Sequence, residues 1–76
     1  MTNLDIANRL RERARELAGN GDNLYRVRAF RQAAFAVMGL ETDVSQLVNT
    51  GGPKALERVP GIGKSLSETI AQIARN

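Results

Sequence analysis

Apolar residues recur at helical spacing along almost the whole chain, and no segment shows the alternation of a half-buried strand. The pattern predicts helices over about residues 3–18, 24–39, 43–49, 53–58 and 64–74. We therefore predict an all-α fold, a small four-helix bundle with one extra short helix. No linker, repeat or low-complexity tract divides the chain, so residues 1–76 are expected to form one domain.

Capping residues fix the predicted starts of the first three helices. Thr2 and Asp5 stand at capping-box spacing, with Asp in place of the usual Glu. Asp22 or Asn23 can cap the second helix, and Thr42 can cap the third.

The second predicted helix carries a wide apolar stripe. Its apolar positions are Val27, Phe30, Ala33, Ala34, Val37 and Met38. Phe35 falls on the opposite side, and a helix that is apolar on two sides is usually central in a bundle. We therefore expect other helices to contact this helix on both flanks.

Charge and composition narrow the function classes. The 11 basic side chains outnumber the 8 acidic ones, which permits nucleic-acid binding without demonstrating it. The first helix contains Arg9, Arg11, Arg13 and Arg15 together with Glu12 and Glu16. Spacing of one turn predicts a self-neutralised, solvated face, with phosphate contact as the alternative. The chain has no cysteine or histidine, so disulfides and thiolate or imidazole metal sites are excluded.

The sequence contains no apolar run of membrane-spanning length and no signal-peptide pattern at its N-terminus. We therefore expect a cytoplasmic protein that does not bind membranes.

The stretch around Pro60 carries the chemistry that points outside the fold. Pro60 should end the preceding helix, Gly61 and Gly63 allow a tight reversal, and Ile62 should plug it into the core. The following helix should begin near Gly63 or Lys64 with unpaired amide groups, which bind phosphate well.

Phosphate binding at this turn requires bare backbone donors and a nearby cation. The predicted site on this turn comprises Gly61, Ile62, Gly63, Lys64 and Ser65. The N–H groups of Gly61, Gly63 and Lys64 are the predicted donors, Lys64 supplies charge, and Ser65 supplies a hydroxyl. An ordinary helix-helix turn is the alternative interpretation. Because the contacts reach phosphates and not base edges, binding should be independent of sequence and weakened by salt.

Further candidates for contact with DNA lie on the second helix, namely Arg26, Arg31 and Tyr25. Arg26 and Arg31 flank its apolar stripe, whereas Arg28 points away. Arg26 and Arg31 could contact phosphates, or lay their alkyl stems along the core edge with their heads in water. Tyr25 could stack on an unpaired base, or pack at a surface edge with its hydroxyl wet.

The motif Val59-Pro60-Gly61-Ile62-Gly63, followed by Leu66 and Ile70, resembles the helix-hairpin-helix motif. That resemblance implies DNA-backbone binding without sequence preference, as in repair proteins, ligases and polymerases. Residues 23–34, placed ahead of the hairpin, are similar to the N-terminal domain of family X DNA polymerases, especially the bacterial type. The second resemblance spans about residues 3–75 and implies a SAM-like fold, as in the polymerase beta N-terminal domain.

The resemblance also implies a monovalent cation between the hairpin and a DNA phosphate. By position, the backbone carbonyls of Glu57, Val59 and Ile62 would hold Na⁺ or K⁺, and a carbonyl-lined turn without an ion is the alternative. We expect no other cofactor.

Two alternative functions stay open. Some family X domains are 5′-deoxyribose-phosphate lyases that use a lysine nucleophile. Alignment on the hairpin places Thr69 at the nucleophile and Ser65 at a supporting lysine, and the only lysines are Lys54 and Lys64. We therefore expect no enzymatic activity, or at most a vestigial lyase.

The other alternative is a protein-docking module. Exposed Leu24, Phe35 or Leu40 would supply its apolar patch. The leading expectation is a monomer that binds DNA, alone or as part of a larger polymerase or repair protein.

Overall fold

The computed structural model describes residues 1–75, which form five α-helices joined by short turns. The helices are α1 (Asn3–Gly19), α2 (Leu24–Met38), α3 (Val44–Gly51), α4 (Pro53–Glu57) and α5 (Lys64–Arg75). No strand is present in this range. The predicted all-α fold is confirmed, and each predicted helix exists with ends no more than two residues from those expected.

The helices pack as two groups that share one core. α1 lies along α2, while α3, α4 and α5 pack on one another, and α5 also touches both α1 and α2. Burying one apolar face of each helix is the main driving force for this arrangement. The largest fully buried side chains are Ile6, Leu10, Val27, Val37, Val44, Leu56, Ser67 and Ile70.

The starts of α1 and α2 are capped as the sequence predicts. The Thr2 hydroxyl accepts from the Asp5 N–H at 3.1 Å, and the Asp5 carboxylate accepts from the Thr2 N–H at 3.0 Å. Hydrogen bonding of the Asp5 carboxylate by the Thr2 backbone N–H, and to a lesser extent by the Thr2 side chain, holds the pKa of Asp5 below its ordinary value. At α2 the Asn23 Oδ1 accepts from the Tyr25 N–H at 2.7 Å.

The start of α3 is held by a residue of another helix. The N-cap is Asp43, which makes no side-chain cap bond, so the prediction that Thr42 caps this helix is wrong. The Asn3 side chain accepts from the Val44 N–H at 2.9 Å and donates to the Thr42 carbonyl at 3.0 Å. A residue 41 positions away thus caps α3 and ties it to the first turn of α1.

One side of α2 faces solvent, contrary to expectation. The Phe35 side chain is 79% exposed, so the prediction that helices cover both flanks of α2 is wrong on this side. Met38, assigned to the buried stripe, is also largely exposed. The core side of α2 is filled by smaller residues, since Ala33, Ala34 and Val37 are fully buried while the Phe35 ring lies outside the core.

The arginines and glutamates of α1 form no ion pairs at contact distance within residues 1–75. Arg26 with Asp22, at 3.3 Å, is the ion pair found within residues 1–75, and no Arg–Glu pair on α1 comes within 4.0 Å. The predicted solvated face is confirmed, because these side chains are exposed. The predicted pairing is not seen at contact distance, as expected where ordering entropy offsets a weak attraction between exposed side chains.

None of the helices described over residues 1–75 has both the length and the hydropathy needed to cross a bilayer.

Candidate nucleic-acid interface

The turn between α4 and α5 is pinned by backbone bonds and by one apolar side chain. The Val59 N–H donates to the Leu56 carbonyl at 3.0 Å, and the Ile62 N–H donates to the Val59 carbonyl at 3.1 Å. Ile62 is 4% exposed and belongs to the core. Burial of an isoleucine stabilises by about 2 kcal/mol, enough to fix the loop on the bundle.

The two glycines of the turn serve different purposes. Gly61 has φ +93°, and a Cβ there would lie 3.5 Å from the Ala36 Cβ and 3.7 Å from the Gln32 carbonyl. Gly63 is not in the left-handed region, and a Cβ on it would meet none of the described atoms within 4 Å. Gly61 therefore allows the chain to reverse against α2, while Gly63 leaves the approach to α5 open.

The first amides of α5 have no acceptor among residues 1–75. The Gly63 carbonyl accepts from the Ser67 N–H at 2.9 Å, which starts the helical ladder. The N–H groups of Gly61, Gly63 and Lys64 donate to no carbonyl within residues 1–75, and the same holds for Ser65. Such amides carry the partial positive charge of the helix dipole. The predicted donors are thus present and unpaired.

These amides open into one groove, which we call the hairpin groove, with a volume of ≈ 690 Å³. It is lined by Tyr25, Arg26, Ala29, Phe30, Gln32, Gly61, Ile62, Gly63, Lys64, Ser65, Leu66 and Thr69. The set contains two basic residues, Arg26 and Lys64, and none of the described lining residues is acidic. The groove therefore favours an anionic ligand.

The structure brings Arg26 and Tyr25 of α2 to this groove. The Arg26 guanidinium also contacts Asp22 at 3.3 Å, an exposed pair of the kind worth little. Tyr25 is 81% exposed at the rim, which is compatible with either a stacked base or a wet hydroxyl.

Arg31 does not line the hairpin groove. It lines the adjoining concavity, together with Phe35, Pro60 and Gly61. The eight predicted binding residues thus fall on one groove except for Arg31, which lies beside it.

A protein-family model described as the helix-hairpin-helix domain matches residues 1–76. The chain belongs to the helix-hairpin-helix domain family. Domains of this family generally bind DNA without sequence specificity. Comparisons with curated proteins and with solved structures found no match.

The carbonyls assigned to a monovalent cation lie on the same turn of this helix-hairpin-helix domain. The Val59 carbonyl already accepts from the Ile62 N–H, and a carbonyl has a second lone pair for a cation. Neutral carbonyl oxygens suit a monovalent ion. Side-chain clusters that could hold a metal are absent from residues 1–75. The cation at Glu57, Val59 and Ile62 stays a prediction.

Sequence reasoning missed two apolar residues that line the hairpin groove. Ala29 and Phe30 of α2 line it, although neither has a charge or donor that would signal binding. Ser67 was also missed: it is fully buried, and its hydroxyl donates to the Lys64 carbonyl at 2.6 Å. A serine facing the same side as Leu66 and Ile70 was the available signal.

The residues at the lyase positions are in the groove but are not amines. The Thr69 hydroxyl donates to the Ser65 carbonyl at 3.2 Å, which satisfies it within the helix. Lys64 is the one lysine among the described lining residues.

Proposed function

We propose that this helix-hairpin-helix domain binds the DNA backbone through the hairpin groove, without sequence preference and without catalysis. The observation that carries the proposal is the set of unpaired amides at the start of α5, beside Lys64 and Ser65 and open through Gly63. A phosphate placed there would accept backbone hydrogen bonds and neutralise the lysine.

Binding through this groove should be weak and strongly dependent on salt. Contacts with few phosphates place the dissociation constant at about 10⁻⁴ to 10⁻⁶ M, the range of non-specific binding. A monovalent cation at the carbonyls of Glu57, Val59 and Ile62 is part of the proposal, as a bridge to the phosphate.

The test is a titration of the labelled domain with a DNA duplex, followed by backbone amide chemical shifts. We expect shifts at residues 61–65 that fade as salt rises, and no shifts in α3, which does not line the groove. Unchanged spectra at low salt would contradict the proposal. Shifts that persist at high salt would indicate a different kind of ligand.

We further propose that the domain serves DNA repair or replication, alone or as an accessory domain of a larger polymerase or repair protein. The support is the resemblance to family X polymerases, which rests on residues 23–34 and on the hairpin. These two segments lie together in the fold, because Tyr25 and Arg26 line the hairpin groove. A monomeric, cytoplasmic protein belongs to the same proposal. A comparison of gapped with intact duplexes, at matched salt, tests whether the polymerase resemblance extends to the ligand.

The absence of catalysis has a direct test. A lyase needs an amine that attacks an abasic sugar, and Thr69 and Ser65 supply none. We expect no adduct when the domain is treated with borohydride in the presence of abasic DNA. An adduct that is lost in Lys64→Ala, and kept in Lys54→Ala, would show that the domain is a lyase.

A further inference from the structure

Two more concavities continue the hairpin groove across α2 toward α1. The first is lined by Arg31, Gln32, Phe35, Ala36, Pro60 and Gly61. It shares Gln32 and Gly61 with the hairpin groove and shares Arg31 and Phe35 with the second. The three concavities therefore adjoin one another, from the start of α5 to Arg11 and Arg15 of α1.

The far end of this path is basic. The second concavity is lined by Asn8, Arg11, Glu12, Arg15, Arg31 and Phe35. Three arginines thus face one glutamate, and none of the three makes an ion pair within residues 1–75. The Arg11 guanidinium donates a hydrogen bond to the Asn8 side-chain Oδ1 at 3.4 Å. We call Arg11, Arg15, Arg31 and Phe35 the α1–α2 face.

Phe35 is the apolar centre of this face. Phe35 is 79% exposed, and the other residues lining its two concavities are charged, polar or small, with no large aliphatic residue among those described. An apolar helix needs a wider apolar groove to dock. A nucleic-acid base is a flat ring that needs one aromatic face, with cations nearby for its phosphates.

We propose that the α1–α2 face is a second nucleic-acid contact surface, on which one unpaired base stacks against Phe35 while Arg11, Arg15 and Arg31 contact the flanking phosphates. The inference rests on the proposed function, because the strand is the one whose backbone is held at the hairpin. It adds a ligand class: a duplex that continues into an unpaired nucleotide. Continuity with the hairpin groove favours nucleic acid over an acidic protein segment, which the same charges would attract.

The experiment compares two ligands by fluorescence anisotropy at low salt. One is a blunt duplex, and the other is the same duplex with a short single-stranded thymidine overhang. Phe35→Ala should weaken binding of the overhang ligand about tenfold, because base stacking on an aromatic ring is worth that much, and leave the blunt duplex within about twofold. Arg11→Ala with Arg15→Ala should also weaken the overhang ligand selectively.

Matched controls separate this face from general effects. Leu24→Ala removes another exposed apolar side chain of α2, and Arg75→Ala removes an exposed arginine of α5. Neither residue lines the path, so neither should change the preference for the overhang. Thermal unfolding of Phe35→Ala should match that of the wild type, since the ring is exposed.

Each outcome decides between the two proposals. Selective loss in Phe35→Ala supports the second surface. Equal binding of both ligands by the wild type, unchanged in Phe35→Ala, overturns it and leaves the hairpin function standing. Failure of the wild type to bind either ligand overturns both. Shifts at Phe35 with an acidic peptide, and none with the overhang ligand, would assign the face to a protein partner and overturn the inference.

Discussion

The starts of α1 and α2 differ from the start of α5 in whether the protein supplies acceptors for the first backbone N–H groups of the helix. At α1 and α2 the chain provides its own, through Thr2 with Asp5 and through Asn23. At α5 the residue before the helix is Gly63, which has no side chain, and the amides of the first turn find no acceptor within residues 1–75. The amide groups at the start of a helix are thus capped by side chains at α1 and α2 and left uncapped at α5.

The start of α3 shows that a missing local cap can be replaced from elsewhere in the fold. Asn3 reaches α3 from α1 and accepts from the Val44 amide. No side chain of residues 1–75 accepts from the first amides of α5, and the Thr69 hydroxyl within the helix donates instead to the Ser65 carbonyl. Glycine at an N-cap costs only a few tenths of a kcal/mol relative to the good capping residues, so an uncapped α5 folds without difficulty. The first amides of α5 are therefore available to an external acceptor, such as the phosphate proposed above.

The largest expected effect comes from the residue that shapes the open end. Gly61→Val forces a branched side chain into positive φ beside Ala36 and should cost about 2 to 3 kcal/mol of unfolding free energy. Urea unfolding followed by circular dichroism measures it. Gly63→Asn is the matched control, because its position has space and an ordinary φ. Equal stabilities for the two variants would contradict the different purposes assigned to the two glycines.

A side-chain acceptor introduced at position 63 should cap the start of α5, as Thr2 caps the start of α1. Gly63→Asp supplies a cap and a negative charge, so stability should hold or rise by a few tenths of a kcal/mol. DNA affinity should fall about tenfold, or about 1.4 kcal/mol, because the carboxylate occupies and repels the phosphate site. Gly63→Asn, which caps without charge, should lose less affinity. If Gly63→Asp still binds DNA as the wild type does, the amides are not the binding site.

Removing the borrowed cap should affect folding alone. Asn3→Ala leaves the Val44 amide, which is partly buried, without its acceptor and should cost about 1 kcal/mol. Thermal unfolding measures the loss, and Asn49→Ala provides an exposed asparagine of α3 as the control. DNA affinity of the Asn3→Ala variant should be unchanged under conditions where it is folded. A fall in affinity there would tie α3 to the binding surface.

The smallest effect is expected from the lysine of the groove. Lys64→Ala should weaken DNA binding about threefold at low salt and lower the salt dependence by about one phosphate contact, with no change in stability. Lys54→Ala removes the other lysine, which does not line the groove, and should change neither quantity. Anisotropy titrations over a series of salt concentrations measure both. An identical salt dependence for Lys64→Ala and the wild type would remove Lys64 from the interface.

Local patterns predicted most of the fold and the centre of the site. Helical spacing located five helices, and Pro60, Gly61 and Gly63 located the hairpin, because these residues restrict or free their own backbone. The patterns failed where the answer depended on a distant residue. Thr42 is a good capping residue, yet Asn3 holds α3, and no local rule reveals a partner 41 positions away. The expected cover over Phe35 failed for a similar reason, because it depended on which helices pack against α2.

The order of apolar, capping and turn residues determined by itself that this protein is an all-α helix-hairpin-helix domain with a glycine-opened start to its last helix. Those features depend on interactions within a few residues of one another. Only the tertiary structure decided that Tyr25 and Arg26 meet the hairpin, that Arg31 joins Phe35 on the adjoining surface, and that Gly61 but not Gly63 packs against α2. Those outcomes depend on how closely α1, α2 and α5 approach, which is set by the packing of side chains from all of them.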